Sequence, residues 1–147
     1  MNRLQNKVAI VTGANSGIGL RTAQLFAEEG AILVLCARRK EKLDEVAKAL
    51  RAQGSQVLSI AADVSREEDC VRVVEEAVKA FGRVDVLVNN AGMADKHRPI
   101  TRCDGDWWHT VIDVNQNSVY YMMKAALKYM VPLSISPPSA LPVTTPA

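Results

Sequence analysis

Residues 12–19 read Thr-Gly-Ala-Asn-Ser-Gly-Ile-Gly and follow directly on the apolar stretch Val-Ala-Ile-Val at residues 8–11. A short stretch rich in β-branched residues predicts a buried parallel strand. Beyond the glycines, residues at helical spacing predict one face of a helix, at Ile18, Thr22, Leu25 and Phe26. The glycines therefore connect a strand to a helix, which is the context in which such a loop binds the phosphates of a dinucleotide.

Each glycine of this loop has a physical reason. Gly13 permits a tight turn, Gly17 lets the backbone approach a pyrophosphate, and Gly19 lets the helix pack close to the strand. The helix N-terminus offers free N–H groups and the positive end of a dipole, so a phosphate can bind without a lysine. An ordinary glycine-rich connection is the alternative, since glycine clusters are common in turns.

The rest of the chain alternates between strand-like and helix-like stretches. Buried strands are predicted at residues 32–36, 57–61 and 84–88. Apolar stripes at helical spacing lie within residues 43–50 and 70–81, and residues 106–130 predict one long final helix. The predicted fold class is α/β, an incomplete doubly wound parallel sheet of about four strands with flanking helices.

Composition restricts the function classes. A net charge of +2 over 147 residues argues against nucleic acid or an anionic membrane as the main partner. The sequence contains neither an apolar stretch of membrane-spanning length nor a secretory leader, so we expect a cytoplasmic protein. Cys36, Cys70 and Cys103 are widely spaced and predict reduced thiols, and His97 and His109 lack neighbouring ligands, so we expect no metal site.

The end of the chain differs in composition from the rest. No charged residue follows Lys128, and five of the six prolines lie within residues 132–147. Such proline spacing disfavours both a helix and a central strand. We therefore expect a dinucleotide-binding domain at residues 1–130 and a proline-rich, non-native tail at residues 131–147.

Four motifs in this order resemble those of the classical short-chain dehydrogenases/reductases, between about Leu4 and Met130. The glycine loop is similar to the family's phosphate loop, Asp63-Val64 to its adenine contact, and residues 89–92, Asn-Asn-Ala-Gly, to its motif after the fourth strand. Asn115 matches the asparagine of its catalytic tetrad. The resemblance implies a Rossmann-type fold and hydride transfer between NAD(P) and a carbonyl or alcohol substrate. It also implies a homo-oligomer for full-length relatives, which is doubtful for this shorter chain.

Three of these motifs also have structural interpretations. Asp63 could belong to a helix N-cap region in which Ser65 is the cap and Glu68 follows it. Asn89 and Asn90 could end a strand and tie it to its neighbours, a role that coexists with cofactor contact in the family. Asn115 could be a solvated helical asparagine, whereas the resemblance implies that it holds a water near the catalytic lysine.

The end of the second strand favours NADP over NAD. NAD sites usually place an acid there, but the sequence continues Ala37-Arg38-Arg39-Lys40, and no carboxylate occurs before Glu41. A guanidinium at Arg38, helped by Arg39, can grip a 2′-phosphate bidentately. A solvated basic turn is the alternative. The candidate cofactor-binding residues are Gly13, Asn15, Ser16, Gly17, Ile18, Gly19, Arg38, Arg39, Asp63, Val64, Asn90, Ala91 and Gly92.

The family's other catalytic groups have no match in these 147 residues. The family uses a serine on a fifth strand and a later tyrosine with a lysine four residues on. Tyr120 and Lys124 have that spacing but lie too soon after Asn115, on the same helix, so we interpret them as core or interface residues. Residues 131–140 read one base earlier can encode Gly-Ser-Ile-Val-Asn-Ile-Ser-Ser-Ile-Gly, like the family's fifth strand. We therefore expect a frameshifted, catalytically incompetent chain; a non-catalytic nucleotide-binding module or a non-functional product are the alternatives.

Overall fold

Uninterrupted apolar stretches form the centre of a parallel sheet in the computed structural model, which describes residues 2–94 and 99–131. The strands are β1 (Val8–Thr12), β2 (Ile32–Ala37), β3 (Val57–Ala61) and β4 (Val86–Val88). They lie in the order β3-β2-β1-β4, and all three pairings are parallel. The predicted α/β fold class is confirmed, with the four strands that the sequence predicted.

Helices connect the strands and cover both faces of the sheet. They are α1 (Gly17–Glu28), α2 (Lys40–Ala52), α3 (Glu67–Phe81), α4 (Gly105–Ile112) and α5 (Ser118–Met130). Alternate residues of each buried strand point to opposite faces. Ala9 and Val11 of β1 therefore belong to one core cluster, with α1 and α2, while Val8 and Ile10 belong to a second, with α3 and α5.

The fourth strand is shorter than the predicted stretch 84–88 because Asp85 makes a different contact. The Asp85 N–H donates to the Val8 carbonyl, and its carboxylate accepts from the Val8 N–H, each at 2.9 Å. A side chain thus occupies the place of a backbone partner, and regular pairing begins at Val86.

Two predictions about helices are corrected. The apolar face predicted for α1 is wrong at Ile18 and Leu25, which are 80% and 43% exposed, because the buried positions of this helix are Gly19 and Ala23. The single helix predicted for residues 106–130 is instead α4 and α5 joined by a π-helical turn, Asp113–Asn117. The chain remains helical throughout, but the wider turn displaces the residues that follow.

Two other predictions concern regions that the structure describes only in part. Within residues 2–94 and 99–131, no helix is long and apolar enough to cross a membrane. The proline-rich tail was predicted for residues that include 132–147, which lie outside the described residues. His97 belongs to residues 95–98, which also lie outside them.

Candidate functional site

A cleft of about 610 Å³ opens where the carboxyl ends of the four strands meet. Open α/β sheets bind their ligands at this edge because the strand order reverses there. The lining residues that the structure describes are Gly13, Asn15, Ser16, Ile18, Ala37, Arg38, Arg39, Ala62, Asp63, Val64, Asn90, Ala91, Gly92 and Val114. Of the predicted cofactor-binding residues, Gly17 and Gly19 are absent from this lining and act on the shape of the loop.

The glycine loop takes a conformation that side chains would obstruct. Gly13 and Gly17 have φ angles of +65° and +55°, in the left-handed region that favours glycine. A Cβ atom on Gly19 would lie 2.4 Å from both the Asn90 Nδ2 and the Gly13 carbonyl oxygen. The absence of a side chain at Gly19 therefore permits the close approach of α1 to β1 and β4.

The first turn of α1 is open toward the cleft. Ser16 is its N-cap residue and has extended backbone, but its side chain forms no capping hydrogen bond. A Cβ on Gly17 would meet no atom within 4 Å. Uncapped N–H groups beside open space are what an anion at a helix N-terminus requires.

Thr12 and Asn90 join the ends of β1 and β4. The Thr12 hydroxyl accepts from the N–H groups of Asn90 (3.0 Å) and Ala91 (2.9 Å). In return, the Asn90 amide donates to the Thr12 carbonyl at 2.9 Å. Asn90 therefore ties β4 to β1 while it also lines the cleft. This is the strand-tying role that the structural interpretation of the motif expected.

Asn115 is held by the backbone of the segment that follows β4. Its Oδ1 accepts from the Met93 N–H and its Nδ2 donates to the Met93 carbonyl, both at 2.8 Å. It lies in the π-helical turn beside Val114, which lines the cleft. Asn115 is exposed, as the alternative of a solvated helical asparagine expects, and its amide is also bonded to the backbone of Met93.

The turn after β3 presents Asp63 and Val64 to the cleft. The Asp63 Oδ1 accepts from the backbone N–H (3.0 Å) and the hydroxyl (2.8 Å) of Ser65. The prediction that Ser65 caps the next helix is wrong, because Arg66 is the N-cap residue of α3 and makes no side-chain capping bond. The hydroxyl of Ser65 is used to fix the carboxylate of Asp63.

The basic residues after β2 fall into two groups. Arg38 and Arg39 are exposed and line the cleft. Lys40 forms an ion pair with Asp44 one turn along α2, and Asp44 also accepts from the Ser59 hydroxyl at 2.8 Å. Asp63 is the one carboxylate among the described lining residues, so the described wall of the cleft carries two positive charges against one negative charge.

Tyr120 and Lys124 lie outside the described lining of the cleft. Tyr120 is 59% exposed, and the Lys124 ammonium lies 2.8 Å from a carboxylate oxygen of Glu67 on α3. This ion pair raises the pKa of Lys124 above its ordinary value. Lys124 thus forms an ion pair between α5 and α3, which agrees with the interpretation of Tyr120 and Lys124 as structural residues.

The cleft fits a dinucleotide in shape and in donor set. Open space surrounds Gly17 at the start of α1, the N-terminus of that helix is open, and the far wall of the cleft carries two guanidinium groups. Phosphates suit the helix N-terminus and the guanidinium groups, and the Asp63 carboxylate is an acceptor for an amino group.

Sequence reasoning assigned no role in the site to four residues, although it quoted some of them within its motifs: Thr12, Ala37, Ala62 and Val114. Thr12 is buried and acts through its hydroxyl, while Ala37 and Ala62 form the floor at the ends of β2 and β3. A signal existed in each case, because these residues directly precede or follow the motif residues at the strand ends. Val114 had a weaker signal, as the neighbour of Asn115 in the helix.

Most of this chain matches known proteins. A sequence profile of the short chain dehydrogenase family matches residues 7–136. An oxidoreductase from Listeria monocytogenes is 40% identical over 124 residues, which are 84% of this chain and 50% of that protein. The chain thus spans about half the length of this relative.

Solved structures with the same fold bind different dinucleotides. The L-sorbose reductase from Gluconobacter frateurii, complexed with NADPH and L-sorbose, superposes with a TM-score of 0.85 at 36% identity, covering 88% of this chain and 50% of that one. A short chain dehydrogenase/reductase from Burkholderia phymatum in complex with NAD gives a TM-score of 0.84 at 32% identity, covering 88% and 46%.

Proposed function

This chain belongs to the short chain dehydrogenase family, and from that premise we propose that its cleft binds NADP(H) in preference to NAD(H). The observation that carries the proposal is the convergence of three groups at one sheet edge: the glycine loop, the Arg38–Arg39 pair and the Asp63 turn. For full-length relatives, the resemblance implies a carbonyl compound or the corresponding alcohol as the substrate.

Each group of the cleft takes one part of the dinucleotide. The N–H groups at the start of α1 bind the pyrophosphate, and Asp63 accepts from the adenine amino group. Arg38, with Arg39, pairs with the ribose 2′-phosphate. The Gly92–Met93 segment, held by Asn115, remains for the nicotinamide half. When bound, the nicotinamide supplies the hydride that reduces a carbonyl carbon.

We propose further that the 147-residue polypeptide binds this cofactor without measurable turnover. Tyr120 and Lys124 alone have the spacing of the family's tyrosine and lysine, and Lys124 is paired with Glu67. General acid–base help of this kind contributes typically about 10²–10⁴-fold to a rate. The assay is NADPH oxidation with a panel of ketones; turnover that Tyr120→Phe abolishes would make this pair catalytic.

The resemblance gave no expectation of an oligomer for this shorter chain, but the exposed apolar face of α5 leads us to propose self-association through this helix. Its exposed apolar side chains include Tyr120, Met123 and Leu127, which line one shallow groove. Covering such a surface removes apolar area from water. Sedimentation of the chain and of its Leu127→Glu variant tests this: a monomer in both cases contradicts it.

A fluorescence titration with NADPH tests cofactor binding directly. We expect saturable binding by the chain and none by Gly17→Val, whose side chain would stand where the backbone meets the pyrophosphate. Gly54→Val is the matched control: Gly54 also has positive φ (+93°) and open space around it, but it follows α2, whereas Gly17 lies between the cleft-lining residues Ser16 and Ile18. Equal loss in both variants would indicate backbone strain alone, and unchanged binding by Gly17→Val would contradict a phosphate role for the loop.

A further inference from the structure

The turn that carries Asp63 is held by side chains from the first two turns of α3. The Asp63 N–H donates to Oδ2 of Asp69 at 2.8 Å. The carbonyl of Ala61, the last residue of β3, accepts from Nη2 of Arg72 at 2.9 Å. Both backbone groups immediately flank Ala62, and Ala62 and Asp63 line the cleft.

Asp69 and Arg72 also bind each other. Nη2 of Arg72 lies 3.0 Å from Oδ1 of Asp69, so each oxygen of this carboxylate has one partner. The other end of the guanidinium, Nη1, pairs with Glu76 at 3.3 Å. The two side chains therefore form a single unit, the Asp69–Arg72 clamp, between α3 and the end of β3.

The geometry of Asp69 differs from that of an ordinary helix cap. In a capping box, an acid in the first helical turn reaches back to the N–H of the N-cap residue. The N-cap residue here is Arg66, yet Asp69 accepts from Asp63, three residues before it. The carboxylate of Asp69 therefore holds the cleft-lining turn, while the Arg66 N–H donates to the Asp63 carbonyl at 3.0 Å.

We propose that Asp69 and Arg72 are positioning residues for recognition of the adenine base, which they support by fixing the orientation of the Asp63 carboxylate. The inference rests on the proposed binding of NADP(H). Ser65 holds Oδ1 of Asp63 from one side, and the clamp holds its backbone from the other. An aspartate whose carboxylate and backbone are both held in this way selects a ring that presents an amino group over one that presents a carbonyl oxygen.

The deamino analogue of NADPH, which carries hypoxanthine in place of adenine, reports on this contact. The exchange replaces the exocyclic amino group by a carbonyl oxygen and changes nothing in the phosphates or the nicotinamide. A hydrogen bond to a charged group corresponds to about tenfold to a hundredfold in affinity. We expect the unmodified chain to bind NADPH more tightly than the analogue by a factor in this range.

Substitutions in the Asp69–Arg72 clamp should reduce the preference for NADPH over its deamino analogue without abolishing dinucleotide binding. In Asp69→Ala, we expect the preference for adenine to fall below about threefold, from partial loss of the same hydrogen bond. Asp69→Asn keeps an oxygen that can accept from Asp63, so it should retain much of the preference. Glu76→Ala removes only the outer contact of Arg72 and should leave the preference unchanged.

Fluorescence titrations with both dinucleotides, together with urea unfolding of each variant, separate the outcomes. A folded Asp69→Ala or Asp69→Asn variant in which both affinities fall equally would show a structural role and overturn the proposal. If the unmodified chain binds NADPH and its deamino analogue equally well, the positioning role of Asp69 and Arg72 is overturned, but the proposed binding of NADP(H) is not. A chain that binds neither compound overturns the proposed function and this inference together.

Discussion

The side-chain amide of Asn115 and the backbone of Met93 form a two-point hydrogen-bonded pair, although 22 residues separate them. The pair joins the π-helical turn to the segment that leaves β4. A Cβ on Gly92, the preceding residue, would lie 3.0 Å from the Asn115 Oδ1, so the approach is close. The side chain of Asn115 thereby connects the π-helical turn to the segment after β4 that lines the cleft.

Asn115→Ala removes both hydrogen bonds to Met93. We expect the free energy of unfolding to fall by about 1–3 kcal/mol, since two backbone groups lose their partner. Asn115→Asp keeps the acceptor but places an oxygen opposite the Met93 carbonyl, so it should be at least as destabilising. Urea unfolding measures this, with the neighbouring exposed residue Gln116→Ala as the control; equal stability of all variants would contradict the pair's role.

Arg38→Gln and Lys40→Gln remove the same charge two residues apart. Arg38 lines the cleft, whereas Lys40 is paired with Asp44. We expect Arg38→Gln to lower the preference for NADPH over NADH by about tenfold to a hundredfold, and Arg38→Asp to invert it. Lys40→Gln should leave the preference unchanged in the same titration. Equal affinities for both cofactors in the unmodified chain would refute NADP selection.

Gly19→Ala tests the close approach of α1. The added methyl group would lie 2.4 Å from Asn90 Nδ2 and from the Gly13 carbonyl oxygen, so the loop must move. We expect a loss of about 1–3 kcal/mol in the free energy of unfolding, with weaker NADPH binding. Gly105→Ala adds a methyl group to another helical glycine with no atom within 4 Å and should be close to neutral. Similar effects at both positions would argue against the steric explanation.

The stability of the protein should depend on pH through Asp69. Its pKa lies below the ordinary 3.8, chiefly because its carboxylate accepts from the Asp63 N–H, with further help from Arg72. A depressed pKa stabilises the fold above the unfolded value, and this contribution is lost as the pH falls through the folded value. The stability difference between the unmodified chain and Asp69→Asn should therefore shrink below about pH 4. Urea unfolding at a series of pH values measures it; a constant difference would contradict the assignment.

The three thiols should differ in reactivity. Burial raises the pKa of Cys36 and that of Cys70 to about 12, whereas Cys103 is partly exposed. Because the thiolate is the reactive form, an alkylating reagent at about pH 8 should modify Cys103 first and the other two only after unfolding. Mass spectrometry of the digested protein identifies the modified site, and early modification of Cys36 would show that the core between β2 and α3 opens.

Much of the site could be predicted from local sequence. Parallel strands of a βαβ chain end at one sheet edge, so the residues after each strand had to meet there. Gly13, Arg38, Asp63 and Asn90 follow four different strands and line one cleft. The roles proposed for them in cofactor binding remain predictions that the titrations test.

Other features depended on contacts between distant elements. Ile18 has the spacing of a core residue, but the glycine beside it lets α1 approach so closely that Gly19 takes the buried position. Ser65 has the sequence context of a cap, yet its hydroxyl binds Asp63. Lys40 is paired with Asp44, whereas Arg38 lines the cleft.

The sequence by itself determined the order of strands and helices, the glycine loop and the sheet edge that carries the site, because periodicity and turn residues act over a few positions. Only the tertiary structure decided which side chains hold the cleft in shape: Asn115 with Met93, Thr12 with Asn90, and Asp69 with Asp63. Hydrogen bonds require a donor and an acceptor within about 3 Å, and that distance is set by how helices dock on the sheet.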